Sequence, residues 1–128
     1  MNITKRIIIT LGVLFLLAAL LGYAMPGLFG MHLSLTHNLV HLVSGLLAVW
    51  FGLKGTASAA RTFAIVFGCV YALLGLAGLV TRGPDHLLTV IPNHLILSMT
   101  DHVANVILGA VFLIAGLVRT HEPVRGPI

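Results

Sequence analysis

Four long apolar stretches dominate the chain, at roughly 7–24, 39–53, 62–80 and 103–118, with short polar or Gly/Pro-containing segments between them. Breakers stand where helices would end: Pro26, Gly27 and Gly30 after the first stretch, Lys54 and Gly55 after the second, Arg82, Gly83 and Pro84 after the third. A helix that crosses the hydrocarbon layer needs about 20 mainly apolar residues, so each stretch predicts one transmembrane helix. The second and fourth are short unless they begin earlier, near His37 and Asp101, which carries polar side chains to the membrane edge. The pattern predicts an all-α fold, an integral membrane four-helix bundle forming a single transmembrane domain over residues 1–128.

Composition strengthens this reading. Of the 128 residues 59% are hydrophobic and 8% charged, and the mean hydropathy of +1.10 is far from that of a soluble domain. The lipid bilayer is the expected surrounding, and four spans leave no room for a separate soluble domain. A net charge of +4 would draw nucleic acid if it were clustered, but the basic residues are scattered beside apolar stretches and read as topology signals. No nucleic-acid partner is expected. Cys69, the single cysteine, lies within an apolar run and reads as a buried, inert thiol. The opening MNITKR and the apolar run after it resemble a signal peptide, with Gly22 and Ala24 near a cleavage position. The run exceeds an ordinary signal core, so retention as the first span is expected.

An even number of spans puts both termini on one side. Lys5, Arg6, Lys54, Arg61, Arg119 and Arg125 fall on that side, against Arg82 alone on the other. The positive-inside rule then predicts an N-in, C-in arrangement with both termini cytoplasmic. The connections near 25–36 and 81–100 face outward.

The two halves of the chain resemble one another. THNLVHLVSGLLAVWFG from Thr36 aligns with TDHVANVILGAVFLIAG from Thr100 at an offset of 64, and the segment from Leu11 aligns with that from Phe67 at an offset of 56. Two parallel two-helix repeats, about 5–55 and about 60–118, follow from this, related by an axis along the membrane normal. Each helix then carries two small residues seven apart: Gly12 and Ala19, Gly45 and Gly52, Gly68 and Gly75, Gly109 and Gly116. Seven residues is nearly two turns, so each pair shares a face. Small residues let helix backbones approach closely in lipid, and these eight mark the predicted packing seams.

Six of the seven histidines, namely His32, His37, His41, His86, His94 and His102, belong to the outward side; His121 does not. His37, His41 and Gly45 step by four residues and drift about 40° per step, which puts His41 on the seam face. Asp101, Asn105 and Gly109 repeat the geometry, with His102 offset by one. Asn38, His41, Asp101, His102 and Asn105 are therefore expected to meet as an inter-helix polar cluster at the outward mouth. Two readings follow. In one, these side chains hydrogen-bond across helices, fixing register and avoiding unsatisfied groups in hydrocarbon. In the other, His37, His41, His102 and Asp101 hold a metal ion, or one imidazole ligates the metal of a tetrapyrrole, heme or chlorophyll. The first is preferred, because buried polar groups need partners in any case. Met25, Met31 and Met99 read as packing at the membrane edge, His86 and His94 as members of a loop long enough to fold back as a lid. Trp50, Phe51, Tyr23 and Tyr71 read as interface anchors or lipid-facing bulk.

The interior offers few polar groups across its depth, which disfavours an ion or proton path. Nucleophile-elbow, P-loop and HExxH patterns are absent from the sequence. No catalytic residues are assigned and no enzyme activity is expected.

On Asn38, His41 and Gly45, within HNLVHLVSG, the chain resembles a bacterial membrane family catalogued as domain of unknown function family 4383, whose second helix carries Asn-x-x-His-x-x-x-Gly and whose fourth carries a similar motif. The second copy, DHVANVILG, departs from it: His102 and Asn105 stand in exchanged places. The resemblance implies a small four-helix protein of the bacterial cytoplasmic (inner) membrane, and it implies no activity. The expected role is non-enzymatic and structural, as an accessory subunit that meets other membrane subunits through lateral helix contacts.

Overall fold

The computed structural model describes residues 1–30, 33–81 and 86–118. Four helices run up and down: α1 over Ile3–Ala24, α2 over Leu35–Lys54, α3 over Ala57–Val80 and α4 over Met99–Leu117. All four are long and apolar enough to cross a membrane. At about 1.5 Å per residue the shortest, of 19 residues, covers close to the hydrocarbon thickness of about 30 Å.

The helices begin four or five residues before the apolar stretches do, because each starts at a polar cap. Asn2, Ser34 and Thr56 accept hydrogen bonds from the backbone N–H groups of Lys5, His37 and Ala59. At α4 the Asp101 carboxylate reaches back to accept from Ser98 N–H at 2.8 Å and from Ser98 Oγ–H at 2.9 Å. The polar first turns of α2 and α4 are thus helical, and they carry His37 and Asp101 inward rather than into a loop.

α1 packs on α2, and α3 on α4, through close backbone approach. A Cβ added at Gly12 would lie 2.9 Å from the Gly45 carbonyl oxygen, and one at Gly68 would lie 3.0 Å from that of Gly109. Nearer the termini, a Cβ at Gly52 would meet the Lys5 carbonyl and one at Gly116 the Arg61 carbonyl, both at 3.2 Å. No side chain fits at such separations without a shift. Gly12, Ala19, Gly45, Gly52, Gly68, Gly75, Gly109 and Gly116 are all buried.

Between the two helix pairs the packing is coarser and aromatic. Phe15 of α1 lies 5.2 Å from Tyr71 of α3 and 6.1 Å from Phe112 of α4, ring centroid to ring centroid. Phe63 of α3 meets Phe51 of α2 at 5.0 Å. Polar atoms within this core are paired across helices: Ser44 Oγ with Tyr71 Oη at 2.8 Å, and Thr4 Oγ1–H donating to the Ala115 carbonyl at 2.6 Å. Tyr71 is therefore a central core residue, not the lipid-facing side chain that its apolar neighbourhood predicts. Cys69 goes the other way: it is exposed on the outer face rather than buried. In a span surrounded by lipid, both faces are apolar, so hydropathy alone does not separate them.

The all-α expectation needs one correction. The connection from α3 to α4 contains an antiparallel hairpin, β1 over Leu88–Ile91 and β2 over Leu95–Leu97, with an irregularity in register between Thr89 and Ile91. Pro92 followed by Asn93 at φ 62° makes the turn, closed by His94 N–H donating to the Ile91 carbonyl at 3.0 Å. Ser34 Oγ–H donates to the His94 carbonyl, which ties the hairpin tip to the start of α2.

Candidate functional site

Near the hairpin end of the bundle α1, α2 and α4 line a half-open cavity of about 190 Å³, with the exposed Leu14 at its rim. Leu14, Phe15 and Ala18 line it from α1, His37 and His41 from α2, and Asp101, Ala104, Asn105 and Leu108 from α4. The polar side chains reach it because of helical spacing: His37 and His41 lie one turn apart, as do Asp101 and Asn105. All four are buried.

His37 and His41 pack ring on ring, with centroids 4.5 Å apart, and His41 also leans on Phe15 at 5.6 Å. His37 Nε2 stands 3.8 Å from Asp101 Oδ1 across the gap between α2 and α4. Asp101 is held in place by its other oxygen, Oδ2, which takes both Ser98 donors. Its Oδ1 and the Nδ1 of His41 have no hydrogen-bond partner.

Asn38 and His102, expected in the same cluster, are placed elsewhere. Asn38 sits against Gly22, where a Cβ would overlap its side chain, and its Nδ2 donates to the Leu33 carbonyl at 3.3 Å. His102 sits in the same way against Gly78, and its Nε2–H donates to the His86 carbonyl. These two side chains fill the α1–α2 and α3–α4 seams instead of facing the cavity. The four-ligand set His37, His41, His102 and Asp101 is therefore not assembled. Among the described residues no three His, Cys, Asp or Glu side chains form a group able to hold a metal ion. The cavity is also below the roughly 300–1,000 Å³ of pockets that enclose drug-sized ligands, too small to surround a tetrapyrrole.

Of the remaining candidates, His86 takes φ 50°, and its Nδ1–H donates to the Thr81 carbonyl at 2.7 Å. His94 contributes its carbonyl to Ser34 while its side chain is exposed. Both serve the connection, which folds back against the bundle. Trp50, Tyr23, Met25 and Met99 are exposed. Met31, His32, Arg82, Pro84, Asp85, Arg119, His121 and Arg125 lie outside the described residues.

Two parts of the site escape the sequence reading. Leu14, Phe15 and Ala18 form one wall of the cavity, and nothing in an apolar run distinguishes them from lipid-facing neighbours. The capping role of Asp101 does carry a signal: Ser98-x-x-Asp101 ahead of an apolar run is a helix-start signature, and it explains this carboxylate without a metal.

Four apolar helices with their polar side chains turned inward define a multi-pass membrane protein. Residues 5–118 match the family described as Domain of unknown function (DUF4383), and the chain belongs to that family. No curated protein and no solved structure matches the chain significantly.

Proposed function

We propose that this is a non-enzymatic structural protein of the bacterial cytoplasmic membrane, with both termini cytoplasmic, that serves as an accessory subunit of a larger membrane assembly. The observation that carries this reading is the outer surface. Leu17, Leu20, Leu46, Leu73, Leu76, Ile107, Ile114 and others make it apolar along the spans. A bundle of this kind acts through lateral contacts, and a partner helix would replace lipid on one of these faces. Mild-detergent extraction followed by native gel analysis tests it: the protein is expected in a band well above its monomer mass of 13.6 kDa. Migration as a free monomer from native membranes would reject the accessory role.

The internal duplication belongs to the same proposal, as two repeats of about 5–55 and 60–118. Its support is that equivalent residues meet equivalent residues. Gly12 with Gly45 corresponds to Gly68 with Gly109, Gly22 with Asn38 to Gly78 with His102, and Gly52 with Ile9 to Gly116 with Ile65. The capping serines Ser34 and Ser98 and the facing pair His37 and Asp101 obey the same offset of 64.

Orientation is testable with single cysteines. In a Cys69→Ala background, Gly27→Cys is expected to react with an impermeant maleimide added outside the cell, and Lys54→Cys only after lysis. The opposite labelling would reverse the assigned topology.

A further inference from the structure

The cavity between α1, α2 and α4 has properties that mutual packing of polar side chains does not explain. His41 Nδ1 and Asp101 Oδ1 are buried without hydrogen-bond partners, in residues 6% and 1% exposed. An unsatisfied polar atom at such a position is costly, more so at membrane depth where no bulk water relieves it. Asn38 Oδ1 and His102 Nδ1 also lack partners, but both side chains are pressed into glycine seams with no space beside them, whereas His41 and Asp101 border open space. Ser44 with Tyr71 and Thr4 with Ala115 satisfy one another within the same core.

We propose that this cavity is a binding site for a hydroxyl-bearing single-ring molecule dissolved in the bilayer, a phenol or a hydroquinone headgroup. Size sets the first part of this assignment. An apolar cavity of about 150 Å³ holds benzene in another protein, and the present volume of about 190 Å³ suits one ring with small substituents. The walls set the second: Leu14, Phe15, Ala104 and Leu108 offer apolar and aromatic surface to a ring. The polar atoms set the third. Oδ2 of Asp101 is taken by the two Ser98 donors, which leaves Oδ1 as the acceptor facing the ligand, and a hydroxyl that donates there keeps lone pairs for a neighbouring imidazole N–H. A carbonyl-only or purely hydrocarbon ligand leaves Oδ1 unmatched. The inference does not depend on the accessory role proposed above, since a subunit of an assembly and a free bundle would hold the same cavity.

The test uses the full-length protein in lipid nanodiscs and 4-fluorophenol as the probe, read by fluorine NMR, with empty nanodiscs to subtract partitioning into lipid. Saturable binding is expected, with fluorobenzene at least about tenfold weaker because it lacks the hydroxyl that satisfies the buried acceptor. His41→Phe keeps a ring of similar size and removes the imidazole; it is expected to weaken 4-fluorophenol about tenfold and to leave fluorobenzene unchanged. Ala104→Phe fills the cavity and is expected to abolish binding of both while retaining the helical circular dichroism spectrum. Displacement of the probe by a decyl-tailed hydroquinone assigns the natural source to lipid-borne quinols, and displacement by tailless dimethylphenol alone assigns it to free phenols. Absence of saturable binding, equal affinity for fluorobenzene, or binding that survives Ala104→Phe in a folded protein would each overturn the proposal.

Discussion

Gly22 and Gly78 show how much a single hydrogen atom decides in this bundle. Each faces a polar side chain, Asn38 or His102, so closely that a Cβ would overlap it. The imidazole of His102 is fully buried and bonded to the connection through the His86 carbonyl, so it has nowhere to retreat. Gly78→Ala is expected to destabilise the protein by about 1–3 kcal/mol, the usual range for overpacking. Gly27→Ala, where nothing lies within 4 Å of the added carbon, is expected to leave stability unchanged. Unfolding midpoints in a mixed-micelle denaturant titration would compare them. Ser44 and Tyr71 supply a second contrast: a double-mutant cycle of Ser44→Ala and Tyr71→Phe is expected to give a coupling of about 0.6 kcal/mol, typical of hydrogen bonds between membrane helices.

At the scale of elements, the ends of the helices are set by side chains that hydropathy discounts. Ser98 caps α4, and its Oγ and N–H both bond Asp101. Ser98→Ala is expected to cost about 1 kcal/mol, measured by the same titration. The β-hairpin depends on α2 for its anchorage, since Ser34 Oγ–H donates to the His94 carbonyl. Ser34→Ala is expected to speed amide hydrogen exchange at Ile96 and Leu97 while leaving exchange in mid-helix unchanged. Four helices and their small-residue seams are legible in the sequence because lipid demands long apolar runs and close packing demands glycine at regular spacing. The first turns of α2 and α4 are legible only through the shortness of their apolar runs, which asks for starts near His37 and Asp101; the caps place them two residues earlier, at Leu35 and Met99. The hairpin is not legible: its strands are four and three residues long, and only the Pro92–Asn93 turn signal announces it. Site residues divide the same way. The spacing of His37 with His41 and of Asp101 with Asn105 brings out those sharing a cavity, whereas Asn38 and His102, each one position further on, are carried into the seams. Phe15, Tyr71 and Cys69 escape the reading because an apolar neighbourhood looks alike from the core side and from the lipid side.

On the scale of the whole molecule, the two helix pairs differ in kind from the junction between them. Inside each pair backbones touch; between pairs, rings and cavities intervene, including an apolar groove of about 220 Å³ lined by Leu47, Phe51 and Phe63 and others of α2 and α3. The junction is nevertheless bridged by the Ser44–Tyr71 and Thr4–Ala115 hydrogen bonds and by the rings around Phe15, so the two pairs should stay together without their covalent link. Fragments 1–55 and 56–128, produced together with an affinity tag on one, are expected to copurify as a complex. Recovery of the tagged fragment alone would show that the contacts across the junction do not hold the pairs together without the tether.

That link is two residues long, Gly55 and Thr56, between the end of α2 and the start of α3. So short a tether gives the second pair almost no choice of where to insert. As the chain leaves the ribosome, α1 and α2 can close on their own glycine contacts before α3 is complete. α3 must then enter the bilayer beside a finished partner, which makes the first half the template on which the second half is laid down.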